Sequence, residues 1–127
     1  MRVFVIDDEP NVLEALHEAI GSAAPGAEIF DFCRGQAALE ASAKKVFSPD
    51  VVFSDIQMPD MNGLQLAAAM KKTAPDARIL FITAYSQYAL EAWKRHVHGY
   101  LMKPVTADDI RDTLDNLHMP PAPVPQD

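Results

Sequence analysis

Short apolar runs alternate along the chain with stretches of helical period. Arg2 to Ile6 is β-branched and aromatic, stops at Asp7, and predicts a strand. Asn11 to about Ser22 predicts a helix: Pro10 suits its first turn, and Val12, Leu13, Leu16, Ala19 and Ile20 fall on one face. Pro25 and Gly26 break it, and Glu28 to Phe32 predicts a second strand. Gln36 to Lys45, rich in Ala, predicts a short helix. Val51 to Ser54 predicts a buried strand that ends at Asp55. "QMPDMNG", residues 57–63, has turn composition, with Asp60 and Asn62 read as turn formers only. Leu64 to Lys72 predicts a helix, and Arg78 to Thr83 an apolar strand closing on a hydroxyl. Ser86 to about Arg95 predicts a helix, and Gly99 to Met102 a short strand before Lys103-Pro104. The last predicted helix opens with a capping box, Thr106 with Asp109, and carries Ile110, Leu114 and Leu117 on one face.

Strand and helix thus alternate five times. This order implies a parallel sheet with right-handed crossovers and helices on both faces. In such sheets ligands bind beyond the carboxyl ends of the strands. If the first, third, fourth and fifth strands are neighbours, Asp7, Asp8, Asp55, Thr83 and Lys103 meet at one rim.

Composition narrows the function. A length of 127 residues and an apolar share of 49% suit one domain with a real core, expected over residues 1–119. Residues 120–127, "PPAPVPQD" after Met119, are read as a Pro-rich tail or the start of a linker. A net charge of −7 argues against direct nucleic-acid binding by this chain, which would need a basic face. The single cysteine, Cys33, forms no internal disulfide; with a strand-like run directly after Met1 and Arg2 and no secretion signal, a cytoplasmic location is expected. No apolar run reaches the ~20 residues of a bilayer span, so no membrane association is expected.

Three carboxylates at one rim repel unless a cation joins them or they sit solvated in turns. A hard divalent ion takes oxygen ligands, so Mg²⁺ (or Mn²⁺) answers the repulsion. A metal facing a lysine is also what phosphoryl transfer requires, because the moving group carries charge that must be spread. On Asp7-Asp8 alone the plain turn is the better reading; Asp55, Thr83 and Lys103 at other strand ends reverse that.

"VFVIDDEP", "VVFSDIQMPDMNG", "ILFITAY" and "GYLMKP" resemble, in order, the motif set of bacterial response-regulator receiver domains, over residues 1–118. The stretch "FITAYSQYALEAW" with "GYLMKPV" is most similar to receivers that precede LytTR-type DNA-binding domains. The resemblance implies a flavodoxin-like (βα)5 three-layer sandwich with strand order 2-1-3-4-5. It implies a phosphoacceptor switch of a two-component system rather than an enzyme with turnover, limited at most to self-phosphorylation and autodephosphorylation. Asp55 would accept the phosphoryl group from a sensor histidine kinase. Asp8 would bind Mg²⁺ directly, Asp7 mainly through water, and Asp55 and the Gln57 backbone carbonyl would complete the metal's protein ligands. Lys103 and the Ala84 N–H would bind the phosphoryl group. Thr83 and Tyr100 would be the switch pair, and Lys103-Pro104 a cis peptide. Gln57 and Tyr85 would tune the hydrolytic water, a bulky Tyr85 lengthening the life of phosphoryl-Asp55. The surface of the fourth helix, fifth strand and fifth helix would change, serving a homodimer or an output partner in transcription regulation. The alternative is a stand-alone receiver relaying phosphate or binding a protein without DNA output.

Two other classes compete. Asp-nucleophile phosphatases also gather acids, a hydroxyl and a lysine around Mg²⁺, but usually carry Asp-x-Asp on the first strand; adjacent acids stand there in this chain. A pure interaction module would lack acceptor residues, and none is missing. His17, His96, His98 and His118 lack metal-ligand spacing and are read as surface residues. Met58, Met61 and Met70 are read as loop and core packing. Trp93 suits an interface or burial against the sheet equally. Lys94 and Arg95, and Asp108, Asp109 and Asp112, are read as solvated faces before cross-dimer pairs.

Overall fold

The computed structural model describes residues 1–44, 48–84 and 99–117. The β-branched and aromatic runs form β1 (Arg2–Ile6), β2 (Glu28–Phe32), β3 (Val51–Ser54), β4 (Arg78–Thr83) and β5 (Gly99–Met102). Between and after them lie α1 (Pro10–Ala23), α2 (Gly35–Ser42), α3 (Gly63–Thr73) and, labelled in order of the described helices, α4 (Ala107–Leu117). All four strand pairings are parallel, in the order β2-β1-β3-β4-β5. This is the parallel sheet expected from the alternating pattern, in the flavodoxin-like order that the family resemblance implies. The predicted helix over 86–95, with Tyr85, Trp93, Lys94, Arg95, His96 and His98, lies outside the described residues, as do His118 and the 120–127 segment.

The period-2 geometry of the strands explains why both faces of the sheet are apolar. On β1, Phe4 and Ile6 enter a core shared with Val52, Phe81, Leu66 and Met70, beneath α2 and α3. Val3 and Val5 point the other way, to Phe53, Ile82, Leu16, Ile20, Ile110 and Leu114, beneath α1 and α4. Phe4, Val5, Ile6, Val52 and Phe53 are fully buried, as strands covered on two sides must be. Met70 sits in the core, and Met58 and Met61 pack at its margin, in keeping with their packing reading.

The helix ends follow local chemistry. Pro10 occupies the first turn of α1. The capping box of α4 is formed: Asp109 N donates to Thr106 Oγ1, and Thr106 N to Asp109 Oδ2, both at 3.1 Å. Two positions depart from the turn-former reading. Asn62 is the N-cap of α3 and exchanges bonds with Gln65 in a second capping box, at 2.8 and 3.0 Å. Asp60 reaches across the fold to α2. The predicted second helix ran on to Lys45; α2 ends at Ser42, whose hydroxyl turns back to the Leu39 carbonyl and meets Thr73 Oγ1 on α3 at 2.7 Å.

Candidate functional site

β1 delivers Asp7 and Asp8 to the carboxyl edge of the sheet. Asp7 N–H donates to the Phe32 carbonyl at 3.1 Å, so the acid is held by the adjoining strand's end. Its side chain has no exposed surface, and both oxygens are engaged: Oδ1 accepts from Glu9 N at 2.9 Å and Oδ2 from Lys103 Nζ at 2.9 Å. Asp8 is half-buried and faces an open cleft of about 740 Å³. Asp55 leaves β3 on a backbone bond to the Ile6 carbonyl (2.9 Å) and turns Oδ1 to the Ile56 N–H (2.8 Å). Its Oδ2 lies 3.5 Å from Lys103 Nζ, and its side chain is only 12% exposed.

Lys103 follows β5. Its N–H donates to the Thr83 carbonyl at 2.8 Å, which ties the lysine backbone to the end of β4. The bond to Pro104 is cis, as expected. Thr83 is buried at the end of β4, and with the exposed Ala84 it lines the cleft opposite Asp8. Gln57, Met58 and Pro59, from the β3–α3 loop, form a third wall.

The electrostatics are those of a crowded acid site with one fixed cation. Burial pushes the Asp55 carboxyl up; Lys103 opposes this, Asp7 adds to it, and the net shift is upward. Burial alone would lower the Lys103 ammonium, but the bond to Asp7 and the charges of Asp55 and Asp7 raise it above its ordinary value near 10.5. Lys103 therefore stays charged at neutral pH and neutralises one of the three acids. One ligand oxygen from each of Asp7, Asp8 and Asp55 lies within 4.8 Å of the others. Among the described residues this is the sole cluster with the reach to hold a metal ion. Its donor set, all carboxylate, fits a hard divalent cation such as Mg²⁺ and not a soft one. Lys103 and Glu9 N take up Asp7's oxygens, and Ile56 N and Lys103 those of Asp55; what sets Asp7 apart is that Asp8 and Asp55 line the open cleft and Asp7 does not.

Asp7, Asp8, Asp55, Gln57, Thr83, Ala84 and Lys103 are thus brought together. Tyr100 belongs to β5 by its backbone, paired with Phe81; its side chain, on which the switch role turns, lies outside what is described, as does Tyr85. Glu9 has no assigned role in the sequence reading yet lines the cleft. The signal was its position directly after the acid pair.

The family model described as Response regulator receiver domain matches residues 3–115. A response regulatory protein of Yersinia pestis is 41% identical over 118 residues, 92% of this chain and 48% of its own length. The positive alginate biosynthesis regulatory protein of Pseudomonas aeruginosa is 34% identical, over 94% of this chain and 48% of its own. The transcriptional regulatory protein BtsR of Salmonella typhi is 35% identical, over 92% and 48%. The chain therefore spans about half the length of the curated relatives it matches. Among solved structures, response regulator TrrA of Thermotoga maritima in complex with Mg²⁺-BeF superposes with a TM-score of 0.75 at 35% identity, covering 91% of this chain and 97% of that one. The NarL receiver domain of Mycobacterium tuberculosis gives 0.77 at 32% identity, covering 91% and 94%. Fold, acid rim and family match agree over nearly the same residues: the chain belongs to the response regulator receiver domain family of two-component systems.

Proposed function

We propose that this receiver is a phosphoacceptor switch in which Asp55 takes a phosphoryl group from a sensor histidine kinase. The observation that carries the reading is the meeting of Asp8, Asp55, Thr83 and Lys103 at four neighbouring strand ends, with Lys103 Nζ 3.5 Å from Asp55 Oδ2. Asp8, Asp55 and the Gln57 carbonyl would hold Mg²⁺, with Asp7 reaching it through water. Bound there, Mg²⁺ neutralises charge on the phosphoryl oxygens.

In the transfer, the P–N bond of a phosphohistidine breaks and a P–O bond to the Asp55 carboxylate forms; the donor imidazole leaves with the bonding pair. Lys103 Nζ meets one oxygen of the transferred group, and the Thr83 hydroxyl and Ala84 N–H donate to others. The modification adds charge and acceptor oxygens at Asp55, which the buried Thr83 follows. Tyr100 turning inward behind Thr83 then biases the surface built from the predicted fourth helix, β5 and α4 between two existing states. A homodimer or an output partner reads that surface. The relatives named as regulators of alginate biosynthesis and of transcription support transcription control as the output. The motif resemblance to LytTR-associated receivers supports that effector class.

Incubation with acetyl phosphate and Mg²⁺ followed by intact mass tests the reading. One added phosphoryl group supports it; steady turnover of small phosphomonoesters without a stable adduct would move the chain to the phosphatase class. Mg²⁺ should raise the melting temperature, since a ligand held only by the folded state stabilises it. Asp8→Ala should lose most of that rise; an undiminished response would remove Asp8 from the metal's ligands. Tyr85→Ala should shorten the life of phosphoryl-Asp55 by opening the hydrolytic water's approach. Equal decay rates in the two proteins would refute that role.

A further inference from the structure

The β3–α3 loop presents Gln57, Met58 and Pro59 to the cleft, and its ends are fastened locally. Gly63 N–H closes on the Ile56 carbonyl at 2.6 Å, and the Asn62–Gln65 box starts α3. Its middle is fastened elsewhere. Asp60 Oδ2 accepts from Gln36 N at 2.8 Å and Oδ1 from Gly35 N at 3.3 Å, the first two amides of α2. That helix has no cap of its own: Arg34, at the N-cap position, makes no side-chain cap bond. The missing acceptor comes from 24 residues further along the chain. Next to it, Gly35 lets Met61 approach so closely that a Cβ there would sit 2.7 Å from Met61 Cγ. The loop and the helix are thus fastened by an ionised carboxylate and a close apolar contact side by side.

We infer that Asp60 is a positioning residue for the acceptor cleft: by capping α2 it holds the loop whose Gln57 and Met58 border Asp55. The inference rests on the Mg²⁺-dependent acceptor reading for its effect on the site, and α2 becomes part of that site without lining it. The Asp60 carboxyl is itself nudged up by slight burial, but bonds from Gln36 and Gly35, with its own N–H and that of Met61, outweigh this and hold it below its usual value, so the anion is the form that grips. Outer residues that orient metal ligands commonly change metal affinity about 10–100-fold when removed.

The test separates positioning from simple helix capping. Asp60→Ala should weaken Mg²⁺ binding about tenfold by titration calorimetry and slow phosphorylation by acetyl phosphate. Asp60→Asn, which keeps one acceptor oxygen, should lose less and covers the case where the alanine variant folds poorly. Adding Arg34→Ser to Asp60→Ala supplies α2 with a cap of its own. This double variant should regain the melting temperature and not the Mg²⁺ affinity. Recovery of both would reduce Asp60 to a helix cap and overturn the inference. Amide exchange at Ile56 and Gly63 in metal-free protein gives a readout independent of the ion. Faster exchange in the double variant than in wild type supports the inference even if wild type binds no Mg²⁺, an outcome that would sink the acceptor reading instead. Unchanged exchange overturns the inference whatever the ion does.

Discussion

Replacing Asp55 by Asn should abolish phosphoryl uptake from acetyl phosphate and, at the same time, raise the melting temperature of the metal-free protein by several degrees. The first effect follows from the loss of the accepting oxygen's charge. The second follows from the site's electrostatics. Asp55 is mostly buried and faces Asp7, and Lys103 is shared, closer to Asp7 at 2.9 Å than to Asp55 at 3.5 Å. The folded state therefore holds the Asp55 proton more tightly than the unfolded chain does, and the carboxyl is raised from its ordinary 3.8. A group raised in this way favours the fold below its unfolded value. That contribution is lost as pH rises through the folded value. At neutral pH the wild type bears the full cost of an ionised, crowded Asp55, and the amide does not. Saturating Mg²⁺ should narrow or reverse the gap, because the ion stabilises the acid and not the amide. A metal-free Asp55→Asn variant that melts below wild type at pH 7 would contradict the crowding account.

Gly63→Ala should cost about 1–3 kcal/mol, a typical overpacking penalty, and lower the melting temperature by roughly 4–12 °C. Gly63 opens α3 directly behind the acceptor. A Cβ there would meet the Asp55 carbonyl at 2.8 Å, the Phe81 ring at 2.9 Å and Ile56 Cα at 3.1 Å. Two of those three neighbours are backbone, and the third is a fully buried ring in the middle of the sheet, so none can swing aside. Either α3 retreats or the Asp55–Ile56 peptide does. The second case disturbs the acceptor itself, so a slower reaction with acetyl phosphate should accompany the loss of stability. Gly35→Ala is the contrasting substitution. Its closest neighbour is the flexible Met61 side chain, and the loss measured by thermal melting should be smaller. Equal losses at the two glycines would show that rigid backbone contact is not what makes Gly63 special.

Much of the fold was legible in local pattern. β2, β3, β4 and β5 begin and end at the residues the apolar runs marked, because a doubly covered strand is a short apolar stretch bounded by turn chemistry. The α4 cap was legible for the same reason: Thr106 and Asp109 stand three apart, and their partners are their own neighbours. The acid pair, the acceptor, the hydroxyl and the lysine were identifiable as strand-end residues. The rule that parallel sheets bind ligands beyond their carboxyl edge brings them to one rim once those strands are neighbours, as the observed order makes them. The second helix was read too long because Ala and Lys continue its pattern, whereas the Ser42 hydroxyl draws the chain into a contact with α3.

Asp60 shows where local reading stops. In "QMPDMNG" its spacing to Asn62 and Gly63 suggests a turn, and nothing within hydrogen-bond range along the sequence indicates a helix start 25 residues earlier. The division of labour among the acids was equally hidden. Sequence offered Asp7, Asp8 and Asp55 at the ends of strands that meet if they are neighbours. The bond from Lys103, 96 residues away, decided that Asp7 is the buried counter-ion, while Asp8 and Asp55 line the cleft. By itself, then, the sequence determined the alternation of elements, the bounds of most strands and the residues offered at the sheet's carboxyl edge. Those are set by side-chain periodicity and by bonds between near neighbours. The tertiary structure alone decided which acid the lysine satisfies, which loop caps which helix and which glycine cannot change. Each of those depends on a distance between residues far apart in the chain, and no local pattern encodes it.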